Sequence, residues 1–329
     1  MRLLNMAIIL LMVLCTIFFI NDMRIDEIKR NQISEYYYHK VFRHSLEDAA
    51  EVLRESSEIY GSSDAILEMV EPERAVDSFF ETFSKNMNMN NQIGRLQLEK
   101  YVPIIVLTIN DGYFLYGSDL LRTDHGINPQ KIIHPKKQFM HMAGEEIYFF
   151  RLDGRHRILY KDDSGTWQTQ TGRIDELASE ASSEQAKLFF SAIDASDKIK
   201  RMMLEQLEED ISQSMGRHIQ YAADFGFYYN FSFDPIDTSW TGIIDEPSIF
   251  TVLQGMPLGN NKSLDLVGAF QLSIRKRDFI YGFVKNGVRY YSKESCSSIE
   301  TEEVEQVFLN PADAAGAGYY PCHDCFHID

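Results

Sequence analysis

The residues best suited to chemistry lie near the C-terminus, in the run Cys322-His323-Asp324-Cys325-Phe326-His327. Two cysteine thiolates with histidine at such compact spacing are typical zinc ligands, although a Cys-x-x-Cys knuckle normally meets a second pair of ligands from elsewhere. The metal-ligand candidates are therefore Cys322, His323, Cys325 and His327. Zinc is the only cofactor that the sequence suggests.

The same cysteines have a second interpretation, a disulfide. It would join Cys322 to Cys325, or Cys296 to one of these two. Because Cys15 lies in an apolar run near the N-terminus, three cysteines remain in the rest of the chain. An odd number leaves at least one of them unpaired in a monomer, so metal ligand, disulfide and free thiol all stay open.

No catalytic residue is predicted. His125, His134, His141 and His156 match no zinc signature in their spacing. The chain has no G-x-S-x-G or H-E-x-x-H motif, and its Asp-Gly pairs are typical of turns. An enzyme that uses the His- and Asp-rich loops is therefore only an alternative.

The composition bounds the class of protein. The 329 residues include 44% hydrophobic and 12% aromatic residues, which excludes a disordered stalk. The formal net charge of −17 argues against nucleic acid as a partner, because phosphate binding needs a basic surface.

The element that would position these residues relative to a membrane is the apolar run Leu3–Ile20. About 20 apolar residues, with a lower limit near 17, cross a hydrocarbon core as a helix. The run therefore predicts a transmembrane anchor over residues 1–22, bounded by Leu3 and Ile20. A cleaved signal peptide is the alternative, but no small-residue cleavage site follows the run. Arg24, Lys29 and Arg30 beyond the run do not favour export of the C-terminal side. Arg2 at the extreme N-terminus, with almost nothing to translocate, favours a cytoplasmic N-terminus and an extracytoplasmic bulk, that is, a single-pass membrane protein.

A charged helical pattern follows without Pro or Gly and predicts a stalk helix over residues 23–60. Its apolar positions recur at spacings near three and four. The residues expected to pack this helix are Ile28, Tyr37, Val41, Leu46 and Leu53.

The remaining chain predicts an α+β head of helices and antiparallel hairpins. Asn110-Asp111-Gly112, Asp153-Gly154 and Asn286-Gly287 each separate two β-prone runs, which is a strong hairpin signal. We expect a first α+β unit over residues 61–182, a second over 183–295 and a Cys/His-containing tail over 296–329. The pattern also predicts an irregular loop from Ser118 to Met142 and a long helix from Ser183, which Gly216 and the aromatic stretch Phe225–Phe233 end.

The N-terminal stretch MRLLNMAIILLMVLCTIFFINDMRIDEIKRNQISEYYYHKVFRHSLEDAAEVL resembles the anchored helices of minor pseudopilin-like proteins of Tad-type secretion loci. The resemblance covers about one sixth of the chain. It implies that the helix joins a bundle of like helices while an α+β head is displayed, and that the chain is an assembly component.

The sequence therefore predicts a membrane-anchored extracytoplasmic structural or assembly component. Its expected partners are membrane lipid, other membrane-anchored helices and pilus or secretion subunits, with no nucleic acid. The alternatives are an extracytoplasmic ligand-binding or sensory module and, less favoured, a tethered enzyme.

Overall fold

The computed structural model describes residues 2–56, 58–60, 67–89, 91–123, 126–224, 241–259, 262–272, 280–285, 287–293, 296, 304–308 and 311–322. Its helices are α1 (Arg2–Ser56), α2 (Pro72–Asn86), α3 (Gln92–Tyr101), α4 (Ile174–Glu180), α5 (Glu184–Phe190), α6 (Ala195–Asp224) and α7 (Pro311–Gly316). A short 3-10 turn covers Thr241–Ile244.

The strands begin with a small antiparallel pair, β1 (Glu58–Tyr60) and β2 (Leu67–Met69). The others are β3 (Ile104–Ile109), β4 (Gly112–Thr123), β5 (Gly126–Ile133), β6 (Phe139–Ala143), β7 (Glu146–Phe150), β8 (His156–Lys161), β9 (Trp167–Gly172), β10 (Ser248–Gly259), β11 (Lys262–Gln271), β12 (Ile280–Lys285), β13 (Val288–Lys293), β14 (Val304–Phe308) and β15 (Tyr320–Pro321). The α+β class is as predicted.

Helix α1 is a single continuous helix of 55 residues. At 1.5 Å per residue it is roughly 80 Å long. No Pro or Gly occurs between Arg2 and Ser56, so every backbone position can continue the helix. The predicted continuity from the apolar run into the stalk is confirmed.

The predicted transmembrane anchor is not confirmed. Within the described residues, none of the helices combines the length and the apolar character that crossing a membrane requires. The prediction of an anchor between Leu3 and Ile20, and with it of a single-pass membrane protein with an extracytoplasmic bulk, is therefore corrected.

A five-stranded sheet is the centre of the head, with strand order β11-β10-β3-β4-β5. All six residues of β3 are buried, because both faces of the sheet are covered. Strands β3 and β10 pair antiparallel, from Ser248 opposite Thr108 to Val252 opposite Ile104. The central sheet thus combines strands from both predicted α+β units, and the boundary expected near residue 182 separates strands of one sheet.

Helices α1, α2 and α3 cover one face of this sheet. In α2 the apolar side chains recur at helical spacing, and Phe79, Phe80 and Phe83 are completely buried. Pro72 suits the first turn of α2, where its missing N–H would have no intrahelical partner. This side of the head is a core shared by α1, α2 and the sheet.

Helix α6 packs on the opposite face, where a second core includes residues of the four-stranded sheet β6-β7-β8-β9. Tyr148 and Phe150 of β7 and Phe190 of α5 are buried in this core. A further sheet has the order β14-β12-β13-β15 and its own small apolar cluster around Ile280 and Phe308.

The predicted hairpins are confirmed. Strands β3 and β4 pair around Asp111-Gly112, β7 and β8 around Asp153-Gly154, and β12 and β13 around Gly287. Gly154 and Gly287 have φ values of 77° and 78°, which an L side chain rarely adopts. The backbone requirement of the turn explains these glycines.

Two local predictions are wrong. The expected loop from Ser118 to Met142 consists largely of strand, because β4 continues to Thr123 and pairs with β5, with Ser118 opposite Lys131. The expected long helix is split into α5 and α6, and α6 continues through Gly216 to Asp224, directly before the aromatic stretch that is also expected to end it. Buried Met215 and His218 flank this glycine, so tertiary packing outweighs its low helix propensity.

Candidate interaction site

The N-terminal part of α1 extends beyond the core of the head and exposes large apolar side chains. Leu11, Phe18 and Ile25 are 63%, 71% and 49% exposed. The other large apolar side chains before Tyr36 that the structure describes as exposed are Met12, Leu14, Ile17, Phe19, Ile20, Met23, Ile28 and Ile33. Successive residues turn by about 100° around a helix. The run Phe18-Phe19-Ile20 therefore places apolar groups on different sides of α1.

Helix α1 joins the head at Tyr37 and Tyr38. The Tyr37 hydroxyl donates to the carbonyl oxygen of Asn86, at the end of α2, over 2.5 Å. Tyr38 Oη lies 3.5 Å from the carbonyl oxygen of Pro257 in β10. From Val41 onward one face of α1 is buried. The tyrosines therefore mark the point where α1 begins to pack on the head.

The residues predicted to pack the stalk divide between two environments. Ile28 and Tyr37 are 53% and 44% exposed, so their side chains are accessible to a partner. Val41, Leu46 and Leu53 are buried against the head, together with Phe42 and Ala49. Only the first two can contact another protein without disturbing the fold.

A groove lies where the buried part of α1 meets the edge of the central sheet. We call it the α1–β11 groove; it has a volume of about 830 Å³. Its lining comprises Tyr36, His39, Lys40, Phe42, Arg43, His44, Leu46, Glu47 and residues 267–270 of β11. Arg43 Nε donates to Glu47 Oε1 over 2.9 Å, an ion pair one turn apart in which Arg43 is exposed and Glu47 is partly buried.

Gly268 sets the distance between the helix and the strand at this groove. A Cβ atom at this position would lie 2.6 Å from a ring carbon of Phe42 and 2.7 Å from a methyl carbon of Leu46. Both distances are shorter than a van der Waals contact. The absence of a side chain therefore lets α1 lie directly on β11.

A buried serine and histidine form the contact in the head that most resembles catalytic chemistry. Ser118 Oγ lies 3.2 Å from His218 Nδ1, and His218 Nε2 lies 3.0 Å from the Lys100 carbonyl oxygen. Because a carbonyl only accepts, Nε2 donates and Nδ1 accepts from the serine hydroxyl. Burial, with nearby Lys131, lowers the pKa of His218 to about 3. Ser118 is 2% exposed and His218 is completely buried, so a substrate cannot reach the pair in this conformation.

Lys131 lies next to this pair. Its ammonium group donates to the carbonyl oxygens of Val102 and Pro103, over 2.7 and 2.9 Å. Burial lowers its pKa to about 7, and the charge of Glu99 opposes this shift. These contacts join β5 to the segment before β3, so Lys131 has a structural role.

The histidines near the β-hairpins do not come together as a site. His156 is buried, accepts from the Arg151 backbone N–H at 3.3 Å and stacks on Phe190; burial lowers its pKa to about 4. His141 stacks on Phe189. His134 lies 3.9 Å from Asp119, and burial lowers its pKa. His125 lies outside the described residues.

The cysteine alternatives are resolved in part. Cys296 is disulfide-bonded, whereas Cys15 and Cys322 are free thiols. Cys322 is buried and its Sγ lies 3.8 Å from that of Cys296. A disulfide formed by Cys322 is therefore not present. His323, Cys325 and His327 lie outside the described residues.

No metal site is assembled within the part of the chain that the structure describes: no three His, Cys, Asp or Glu residues there are placed to hold an ion. Of the four predicted zinc ligands only Cys322 belongs to that part. Zinc at the C-terminal cluster stays a prediction.

The α1–β11 groove does not follow from the sequence. A signal is present there, since His39, Lys40, Arg43 and His44 form a basic and imidazole-rich patch in a strongly acidic chain. The patch lines a groove only because β11 packs beside it, and β11 is more than 200 residues away in sequence.

The chain matches no protein-family model, no curated protein and no solved structure.

Proposed function

We propose that this protein is a structural or assembly component whose exposed α1 segment packs against the equivalent helix of other copies, while the α+β head is held at the end of the bundle. The supporting observation is the exposure of large apolar side chains on all sides of α1 between Leu11 and Ile20. A helix that is apolar all round is normally covered all round. More than one neighbouring helix is needed for such cover, which favours a bundle over a simple pair.

The energetics favour association. Covering one large apolar side chain contributes about 1.5–3 kcal/mol. Association also costs translational, rotational and side-chain entropy. Several residues of the size of Leu11, Phe18 and Ile25 offset this cost if they are covered together. The resemblance to pseudopilin-like helices supports the same arrangement, with like helices side by side.

Cys15 provides a native probe for the test. It is an exposed free thiol within the apolar segment. In a parallel bundle of equivalent helices, Cys15 residues of neighbouring copies come close enough for a short bifunctional thiol reagent. We expect full-length protein to form Cys15-linked oligomers with this reagent and to sediment as an oligomer.

Matched charge substitutions give the control. Phe18→Glu places a charge in the apolar segment and should abolish both the crosslink and the oligomer. Leu188→Glu introduces the same charge at a comparably exposed apolar residue of the head, 77% exposed, and should change neither. Cys15→Ser identifies crosslinks that arise from other thiols. A strictly monomeric full-length protein without Cys15 crosslinks would overturn the proposal.

A further inference from the structure

Among the described residues, strand β11 is an outermost strand of the central sheet. In the described part of the chain it pairs only with β10, from Ser248 opposite Gln271 to Gly259 opposite Lys262. The outer side of an edge strand carries backbone N–H and C=O groups that can pair with another strand. Several peptide-binding domains use such an edge to bind an extended segment.

Helix α1 forms one wall of the α1–β11 groove over this edge. Phe42 and Leu46 pack on Gly268, and the next side chains around the helix, at Lys40, Arg43 and Glu47, line the groove above residues 267–270. Helix α1 thus forms one wall of the groove beside the edge strand β11. An extended chain added to β11 would have its side chains alternately toward and away from this wall.

The charge of the wall indicates what the groove binds. Lys40 and Arg43 are both exposed cations, and His39 and His44 lie beside them. Glu47 is the one acidic side chain among the lining residues and already pairs with Arg43. A basic groove on a chain with a net charge of −17 is therefore a local feature and favours an acidic partner.

We propose that the α1–β11 groove binds an extended acidic segment of a partner protein, which adds to β11 as a further strand and directs alternate Asp or Glu side chains at Lys40 and Arg43. Alternate residues of a strand are roughly 6.6 Å apart. Lys40 and Arg43 are about 4.5 Å apart along the helix axis, and their long side chains span the difference. The specificity predicted for the partner is an acidic residue at every second position.

A second copy of this chain is a poorer occupant. Symmetric pairing of two β11 edges would bring the Lys40 and Arg43 side chains of both copies toward one another. Like charges facing each other across an interface oppose association. The groove is also separate from the exposed α1 segment between Leu11 and Ile28, so this binding is independent of the proposed helix bundle.

The test begins with a display library of random peptides selected on the full-length protein. We expect the selected peptides to be enriched in Asp or Glu at alternating positions. A synthetic peptide of the strongest sequence should slow backbone hydrogen exchange in residues 267–270. N-methylation of its alternate backbone nitrogens should abolish binding, because strand addition needs backbone hydrogen bonds.

A charge-matched pair of double variants tests the groove itself. Lys40→Glu with Arg43→Glu should weaken peptide binding roughly tenfold or more, since two exposed ion pairs are replaced by repulsion. Arg74→Glu with Lys85→Glu changes the net charge equally on α2, where both residues are exposed and pair with Glu71 and Glu81. This control should bind like the unmodified protein.

Several results would overturn the inference. They are selected peptides without alternating acids, an equal loss of binding in both double variants, and protection from exchange away from β11. Dimerisation of the protein through β11, lost in the Lys40/Arg43 variant, would assign the edge to a second copy instead. Cys15 crosslinking should be unchanged in the Lys40/Arg43 variant, so failure here is distinguishable from failure of the helix-bundle proposal.

Discussion

The two parts of α1 belong to one helix and differ almost completely in their environment. Leu11 is 63% exposed and Leu53 is completely buried; Phe18 is 71% exposed and Phe42 is 4% exposed. Both parts are helical and both carry apolar residues. The difference arises from what lies beside them: α2 and strands β10 and β11 cover the second part, and the described head does not cover the first.

This comparison shows that apolar content and burial are separate properties of the helix. The second part has apolar residues on one face and polar residues on the other, which suits one supporting surface. The first part is apolar all round, which suits cover from several sides. We infer that the second part carries the stability of the head and the first part carries association.

The largest effect is expected in the core that the second part of α1 shares with α2. Phe79 is completely buried, and its ring packs edge-to-face on the ring of Phe42, with the ring centroids 6.1 Å apart. Phe79→Ala should lower the free energy of unfolding by about 3–5 kcal/mol, because it removes a large buried ring and leaves a cavity. Denaturant unfolding of the full-length protein measures this loss. A change below about 1 kcal/mol would contradict the assignment of stability to this core.

Acidification should destabilise the head by a similar or smaller amount. The unfolded state takes up protons at His156 and His218 near pH 6.5, whereas the folded state keeps both neutral down to about pH 4 and about pH 3. The unfolded state therefore binds more protons, and the free energy of unfolding falls as the pH falls below 6.5. Each histidine approaches its full slope of about 1.4 kcal/mol per pH unit only below about pH 6.5, so the two together lose about 2.5 kcal/mol from about pH 7 to about pH 5.5.

Denaturant unfolding at a series of pH values measures this slope. His218→Gln removes one titrating group while keeping side-chain hydrogen bonding, so it should remove about half of the slope. An unchanged slope in this variant would show that His218 is not held neutral by the fold.

A moderate effect is expected where α1 lies on β11. Gly268→Ala places a methyl group within 2.6 Å of Phe42 and 2.7 Å of Leu46. Overpacking of this kind costs about 1–3 kcal/mol. Gly216→Ala is the comparison, because a Cβ there meets no atom within 4 Å. It should instead be neutral or stabilise α6, since alanine favours helix more than glycine.

The smallest effect on stability is expected in the exposed part of α1. Phe18→Ala should change the free energy of unfolding of monomeric protein by less than about 0.5 kcal/mol, because an exposed side chain loses few contacts. The same substitution should weaken Cys15 crosslinking. A large loss of stability without an effect on crosslinking would reverse the roles assigned to the two parts of the helix.

Local physics explains which elements could be predicted. The long helix follows from the absence of Pro and Gly and from helical spacing, and the β7–β8 and β12–β13 hairpins follow from glycines that accept positive φ. Strand β5 could not be predicted because its stability comes from pairing with β4, which no pattern within the strand reveals. The break between α5 and α6 escaped prediction because helical spacing continues through Ile193, whereas the fold leaves Ile193 fully exposed between the two helices.

The candidate site was predictable only in its parts. The apolar character of residues 11–20 and the basic patch around Lys40 and Arg43 are visible in the sequence. The same apolar character also leads to the incorrect prediction of a transmembrane anchor, because the length of an apolar run does not by itself make a helix that spans a membrane. The alternating acidic specificity proposed for the groove requires an edge strand that the sequence does not place.

By itself the sequence determined the α+β class, the continuous first helix and the glycine-containing hairpins, because each depends on residues within a few positions of one another. The tertiary structure alone decided which part of α1 is buried, which strand is the edge of the central sheet and which cysteine is bonded. These depend on contacts between residues far apart in the chain, such as Phe42 with Gly268. The stabilising free energy of these long-range contacts is gained only when the chain has folded.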